Sequence, residues 1–141
     1  MITIKHDSIF DSTAAVLVCP VNCVGVMGKG LALEFKRRFP TECDDYFREC
    51  AQQRLYAGMI NVSPPIMFAA TKGHWRHPSK AEWVDVILRQ IGECAERGYF
   101  TSIAIPQLGC GCGGLDWADV WPLYEKHLGG LDCDVEVWIH E

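Results

Sequence analysis

The 141-residue chain has little of what marks a membrane-bound, secreted or nucleic-acid-coating protein. No apolar run approaches the roughly 18 residues that a membrane span needs, and the opening "MITIKHDSIF" alternates and carries charge instead of forming a signal segment. Positive charge is scarce: 13 Lys and Arg against 18 Asp and Glu leave a net charge of −5. That balance excludes a protein that coats nucleic acid non-specifically, although a local basic patch can still grip a short piece. Internal repeats, low-complexity tracts and linkers are missing, so one domain over residues 1–141 with a single cleft is expected. No His pair has metal-ligand spacing. Cysteine is plentiful instead, with eight residues. Several of them (Cys19, Cys94, Cys133) sit in or beside apolar runs, where a thiol serves as a small hydrophobe; reduced thiols in a soluble, cytoplasmic protein are expected.

Apolar runs of strand length occur at "ITI", "AAVLVC", "GMI", "IMFAA", "SIAI" and "VEVWI", with helical periodicity between several of them. "LALEFKRRF" places Leu31, Phe35 and Phe39 on one helical face and stops at Pro40, after which "TECDDYFRECAQQRL" opens a second helix with Thr41 and Asp44 as a cap-like pair. "SKAEWVDVILRQIGECAERG" predicts a helix capped at Ser79, burying Trp83, Ile87, Ile91 and Cys94, and ending at Gly98. In "DWADVWPLYEKHL" a cap at Asp119 puts Pro122 in the first turn, where its missing donor is harmless. The order β, β, α, α, β, β, α, β, α, β predicts an α/β fold with a largely parallel sheet, ligands binding at the carboxyl ends of the strands.

Two glycine-rich loops follow strands and can meet at one rim. In "LGCGCGGLDW", Gly109, Gly111, Gly113 and Gly114 bare the backbone ahead of a helix, which suits a phosphate held by free N–H groups. A tight turn with no ligand explains one or two of these glycines but explains four poorly. Zinc at Cys110 and Cys112 needs a second ligand pair; Cys19 and Cys23 are the nearest candidates and His offers none, so no metal is expected. Gly109, Gly111 and Gly114 also spell G-x-G-x-x-G, but Asp132 and Asp134 precede the next strand, whereas an acidic residue binding a ribose should follow it, and the sequence stops before a second half could form. The other loop, "VNCVGVMGKGLALEF", is not a P-loop: two residues, not four, separate Gly25 from Gly28, and no Ser or Thr follows Lys29. Asn22, ahead of it, either caps a turn or offers its amide to a sugar hydroxyl.

Asn22 with "GVMGKGLALEFK", then "ATKGHWRHPS", then "IPQLGCGCGGLDW", in this order and spacing, resembles the macrodomain family, in particular its DarG-like branch of DNA ADP-ribosyl glycohydrolase antitoxins. The likeness runs through nearly the whole chain; Thr71-Lys72 with His74-Trp75-Arg76 and Pro78-Ser79 carries the branch. The resemblance implies a three-layer α/β/α sandwich around a mixed, largely parallel six-stranded sheet, binding ADP-ribose across the strand ends without a cofactor. It implies that Asp7, Ser8 and Ile9 hold the adenine end. The backbone of Gly109, Cys110, Gly111, Cys112, Gly113 and Gly114, with Leu115, would cradle the diphosphate. Asn22, Met27, Gly28, Lys29, Gly30 and Thr71 would surround the distal ribose.

By itself Lys72 reads as a surface lysine. The resemblance makes it the catalytic residue that releases ADP-ribose from thymidine in single-stranded DNA, as a nucleophile on an opened ribose or as a proton carrier at the N-glycosidic bond. The related terminal ADP-ribose glycohydrolase has an aspartate in its second glycine loop where this chain has Gly113, and Asp116 reads as a turn residue. His74, Trp75 and Arg76 pair one stacking surface with positive charge and fit a few nucleotides, unless Trp75 is simply core. The partners implied are ADP-ribose or ADP-ribosylated DNA and a DarT-like toxin, with no membrane and a monomeric chain. DarG carries a further toxin-engaging region after its macrodomain; this sequence ends after its last predicted strand, so an excised domain or a stand-alone protein is expected. Hydrolysis of ADP-ribose 1″-phosphate or O-acyl-ADP-ribose, or binding of ADP-ribose without turnover, are the alternatives.

Overall fold

Period-two alternation in the apolar runs decides the architecture. In β2 (Val16–Val21), Leu17, Cys19 and Val21 join one apolar cluster and Val18 the other; in β4 (Ile66–Ala70), Ile66, Phe68 and Ala70 part from Met67 and Ala69 in the same way. Both faces of these strands are apolar, and a sheet buries both only between two layers of helices.

The computed structural model, which describes residues 1–140, is such a three-layer α/β/α sandwich. Its elements run β1 (Ile2–His6), a 3₁₀ turn (Ile9–Asp11), β2, α1 (Gly30–Arg38), α2 (Pro40–Ala51), β3 (Ile60–Ser63), β4, α3 (Ala81–Glu96), β5 (Ser102–Pro106), α4 (Trp117–Leu128) and β6 (Asp134–Ile139). The strands lie in the order β1-β6-β5-β2-β4-β3, all pairings being parallel except β3 against β4, where Ile60 faces Ala69. Helices α3 and α4 cover one face through Val84, Ile87, Leu88, Ile91, Val120, Tyr124 and Leu128; α1 and α2 cover the other through Phe35, Cys43 and Tyr46. No helix among the described residues is long and apolar enough to cross a membrane.

Three helix starts differ from expectation. Helix α2 begins at Pro40 itself, whose missing donor suits a first-turn position, and Thr41 lies inside the helix. Helix α3 starts at Ala81 with Lys80 at the cap and no side-chain cap bond, so Ser79 is not its cap; its buried stripe is Val84, Ile87, Leu88 and Ile91, with Trp83 and Cys94 only half-buried. Gly98, at φ 75°, does end it. Helix α4 is capped by Asp116, whose carboxylate accepts the Ala118 N–H (3.1 Å), and Pro122 therefore sits inside the helix. The proline is tolerated because the carbonyl it leaves unbonded belongs to exposed Ala118, where water can satisfy it.

Helices α3 and α4 are in close contact. A Cβ on Gly92 of α3 would stand 2.9 Å from the His127 carbonyl oxygen of α4. Beside it His127 Nε2 meets Asp85 Oδ1 at 2.6 Å, a hydrogen bond that holds the Asp85 carboxyl below its ordinary pKa. Gly92→Ala forces the helices apart and is expected to cost about 1–3 kcal/mol of stability, read as a lower urea midpoint at unchanged slope.

Candidate functional site

Parallel pairing places the carboxyl ends of β1, β6, β5, β2 and β4 side by side on one rim. Four strand spacings make that rim about 19 Å long. A cleft of about 1400 Å³ runs along it, larger than the roughly 300–1,000 Å³ usual for a small-molecule site.

The glycine loop after β5 is the floor. Tyr124 of α4 fixes its start, its hydroxyl donating to the Pro106 carbonyl (2.5 Å) and accepting the Leu108 N–H (2.9 Å). Within the loop Cys110 N–H donates to Gln107, Gly114 to Gly111 and Leu115 to Gly109. The consecutive N–H groups of Gly111, Cys112 and Gly113 donate to no acceptor among the described residues. Three adjacent free donors on a cleft floor form an anion nest. Across from them, Gly30, Leu31 and Ala32 at the start of α1 line the cleft, and Lys29 supplies no side-chain cap, so the helix N-terminus is a second set of free donors.

Most of the four glycines answer to the loop's own geometry. Gly109 and Gly114 have φ of 77° and 79°, and a Cβ on Gly109 would stand 2.7 Å from Leu115 Cδ1. A Cβ on Gly113 would collide with the Ser79 hydroxyl and the Gly109 carbonyl. The turn alone thus requires three glycines, more than sequence reasoning granted it. Gly111 has open space around its Cβ position and a φ that any residue adopts.

Asn22, 5% exposed, builds the opposite wall. Its Oδ1 accepts the N–H groups of Val24 (3.1 Å) and Val26 (3.3 Å), and its Nδ2 donates to the Val26 carbonyl (2.8 Å). The Tyr46 hydroxyl donates to the Asn22 carbonyl (2.8 Å), and burial pushes that phenol's pKa far up, so it remains a donor. Of the two roles open to Asn22, shaping the turn is the one its contacts fill.

Lys72 follows β4 directly, Thr71 N–H extending the ladder to the Val21 carbonyl (3.0 Å). The Lys72 side chain is 9% exposed, and its Nζ donates to the carbonyls of Trp75 (3.1 Å) and Cys112 (3.4 Å). It is therefore not a solvated surface lysine but an amine fixed between its own loop and the glycine floor. The Cys23 N–H donates to the Gly73 carbonyl (3.0 Å), joining this loop to the Asn22 wall. Trp75 is 44% exposed and lines the cleft beside Lys72, with the His74 ring stacked at 5.4 Å and the Arg76 guanidinium 4.6 Å from its ring centroid. Trp75 is thus not core.

The cleft gathers Asp7, Ser8, Ile9, Asn22, Gly28, Lys29, Gly30, Thr71, Lys72, Trp75, Leu115 and the loop from Gly109 to Gly113. Met27 does not reach it: this apolar side chain is buried in the cluster that holds Phe35 and Phe68. Gly114 does not line it, and His74 and Arg76 attend Trp75 from outside. Sequence reasoning missed Phe10, Arg38, Gln107, Trp117 and Trp138, which also line the cleft. Arg38 lies 4.4 Å from the Phe10 ring centroid, a pairing across the chain that no local spacing announces. Asp7 carries a left-handed φ of 80°, backbone strain of the kind that collects at ligand clamps. Burial, aided by the charge of Asp116, pushes the Cys110 thiol up to about 11, so it stays protonated. Among the described residues no three His, Cys, Asp or Glu side chains converge as metal ligands would.

Comparison with known proteins fits this geometry. The family model described as Macro domain matches residues 18–124. A DNA ADP-ribosyl glycohydrolase of Thermus aquaticus is 38% identical over 149 residues, covering 100% of this chain and 41% of that protein. The chain spans about two fifths of the length of the curated DNA ADP-ribosyl glycohydrolases it matches in this way. The solved macrodomain of Mycobacterium tuberculosis DarG superposes with a TM-score of 0.90 at 35% identity, over 98% of this chain and 97% of that one. Thermosipho africanus DarTG in complex with ADP-ribose superposes with a TM-score of 0.86 at 30% identity, over 96% of this chain and 41% of that one.

The glycine floor yields a paired expectation. Gly113→Ala should lower stability by about 1–3 kcal/mol, whereas Gly111→Ala should change it by less than about 0.5 kcal/mol. Thermal unfolding of the two variants side by side checks this; equal losses would mean that Gly111 too is a folding requirement.

Proposed function

We propose that this chain, which belongs to the macro domain family, removes ADP-ribose from ADP-ribosylated thymidine in single-stranded DNA. One observation carries the reading: a lysine amine is fixed at one end of a five-strand cleft, in a chain 38% identical along its whole length to a DNA ADP-ribosyl glycohydrolase. ADP-ribose then lies along the rim with its adenine end against Asp7, Ser8 and Ile9. Its diphosphate takes the free N–H groups of Gly111, Cys112 and Gly113, and its distal ribose fits between the Asn22 wall and the start of α1. That order brings the bond to the base beside Lys72. The complex of ADP-ribose with Thermosipho africanus DarTG supports the choice of ligand.

The carbonyls of Trp75 and Cys112 engage two N–H bonds of Lys72 and hold its nitrogen still, leaving its third position for the cleft. A fixed amine there serves the N-glycosidic bond by giving a proton to the departing base as water adds to C1″, or by attack on C1″ of the opened ribose. In the attack the N–C1″ bond forms as the C1″–base bond breaks and the base takes the amine's proton, after which water hydrolyses the imine and frees ADP-ribose. Borohydride separates the two, since only the attack leaves a reducible imine on Lys72. Trp75, with His74 and Arg76 against it, offers the neighbouring nucleotides a stacking surface and positive charge, and the cleft's volume beyond one small ligand accommodates them. The chain acts as a cytoplasmic monomer, both walls of its cleft coming from one polypeptide. A DarT-like toxin that writes the modification is its functional partner.

Incubated with a short single strand bearing ADP-ribosylated thymidine, the protein should release ADP-ribose, and Lys72→Ala should lose about 10²–10⁴-fold in rate while still binding free ADP-ribose. Mass spectrometry of the DNA gives the answer. Full activity in the variant refutes the role of Lys72, and no release by a wild type that binds ADP-ribose refutes the substrate.

Arg76→Glu should slow release from modified DNA several-fold, flatten the salt dependence by about one unit of log–log slope, and leave ADP-ribose affinity unchanged. Equal losses on DNA and on free ADP-ribose would remove Arg76 from DNA contact.

A further inference from the structure

Ser79 lies one residue before the cap of α3, is 5% exposed, and its hydroxyl has no hydrogen-bond partner among the described residues. A buried hydroxyl left unpaired is costly and calls for an explanation. Its surroundings supply one. The Ser79 N–H donates to the Gly113 carbonyl (2.9 Å), and its Oγ crowds the point where a Gly113 Cβ would stand. The Gly109 carbonyl oxygen crowds the same point. The two oxygens are therefore within about 5 Å of one another, and a loop shift of roughly 1–2 Å brings them to hydrogen-bond length. The Gly109 carbonyl already accepts the Leu115 N–H (2.9 Å) and keeps a second lone pair.

The segment from Lys72 to Ser79 is fastened at both ends to consecutive carbonyls of the glycine floor: Lys72 Nζ to Cys112, and Ser79 N–H to Gly113. Whatever moves the floor moves this segment. The group that would move it is an anion settling on the free N–H groups of Gly111, Cys112 and Gly113.

We propose that Ser79 is a positioning residue. Its hydroxyl donates to the Gly109 carbonyl when the glycine loop settles on a diphosphate. The hydroxyl unpaired in the free protein is satisfied in the complex, and Lys72 is carried with the loop into place. This rests on the reading of the cleft as an ADP-ribose site.

The test is calorimetric titration of ADP-ribose into the wild type and Ser79→Ala, with thermal unfolding of both proteins free and liganded. Free Ser79→Ala should unfold at or slightly above the wild-type temperature, because no bond is lost. Its Kd for ADP-ribose should rise about 5- to 10-fold, with a smaller ligand-induced rise in Tm and a lower kcat on modified DNA. A lowered Tm of the free variant with unchanged affinity would make Ser79 a structural residue and overturn the proposal. Equal affinities with equal Tm would overturn it as well, leaving the functional reading intact. A wild type that does not bind ADP-ribose would sink that reading and this inference together.

Discussion

The cleft depends on parallel strand pairing. When β1, β6, β5, β2 and β4 run the same way, their carboxyl ends fall on one edge, and each chain segment leaving a strand must find partners for its backbone there. The segments do so by bonding to one another: Thr71 to Val21, Cys23 to Gly73, Lys72 to Cys112, Ser79 to Gly113. A rim that satisfies itself in this way is held without metal ligands or disulfides among its residues, and it leaves unspent the donors on the glycine floor.

That economy explains why the anion-binding part of the site is backbone rather than side chain. Asn22 is buried and spends its amide on its own loop, and Tyr46 braces it from below. Tyr124 does the same for the start of the glycine floor. These groups set the backbone at the distances an anion needs. Lys72 is the exception, a buried charged side chain brought to the cleft, and its two carbonyl partners make that burial affordable.

Much of this was legible in residue order. Apolar runs of strand length alternating with helical periodicity gave the layers, and glycine-rich loops after two strands gave a common rim. Positions governed by contacts distant in sequence were not legible. Ser79 looked like a cap because its neighbours upstream of an apolar stripe resemble one, yet the floor at Gly113 holds its N–H. Met27 sat inside a loop that faces the cleft but turned inward, because an apolar side chain gains more from the core than from a polar wall. Four glycines looked like room for a ligand; packing against Leu115 and Ser79 and two left-handed φ values account for three of them.

The sequence by itself determined the α/β layering, the two glycine loops and the motif around Lys72, because these rest on local periodicity, on backbone freedom and on a string of residue types. Only the tertiary structure decided that Lys72 is held rather than solvated, that Trp75 faces the cleft, that Arg38 meets Phe10, and that a hydroxyl lies unpaired beneath the glycine floor. The physical reason is that the deciding neighbours, the Cys112 carbonyl for Lys72, the Phe10 ring for Arg38 and the Gly109–Gly113 loop for Ser79, lie many residues away and come within reach only when the sheet sets the strand ends side by side.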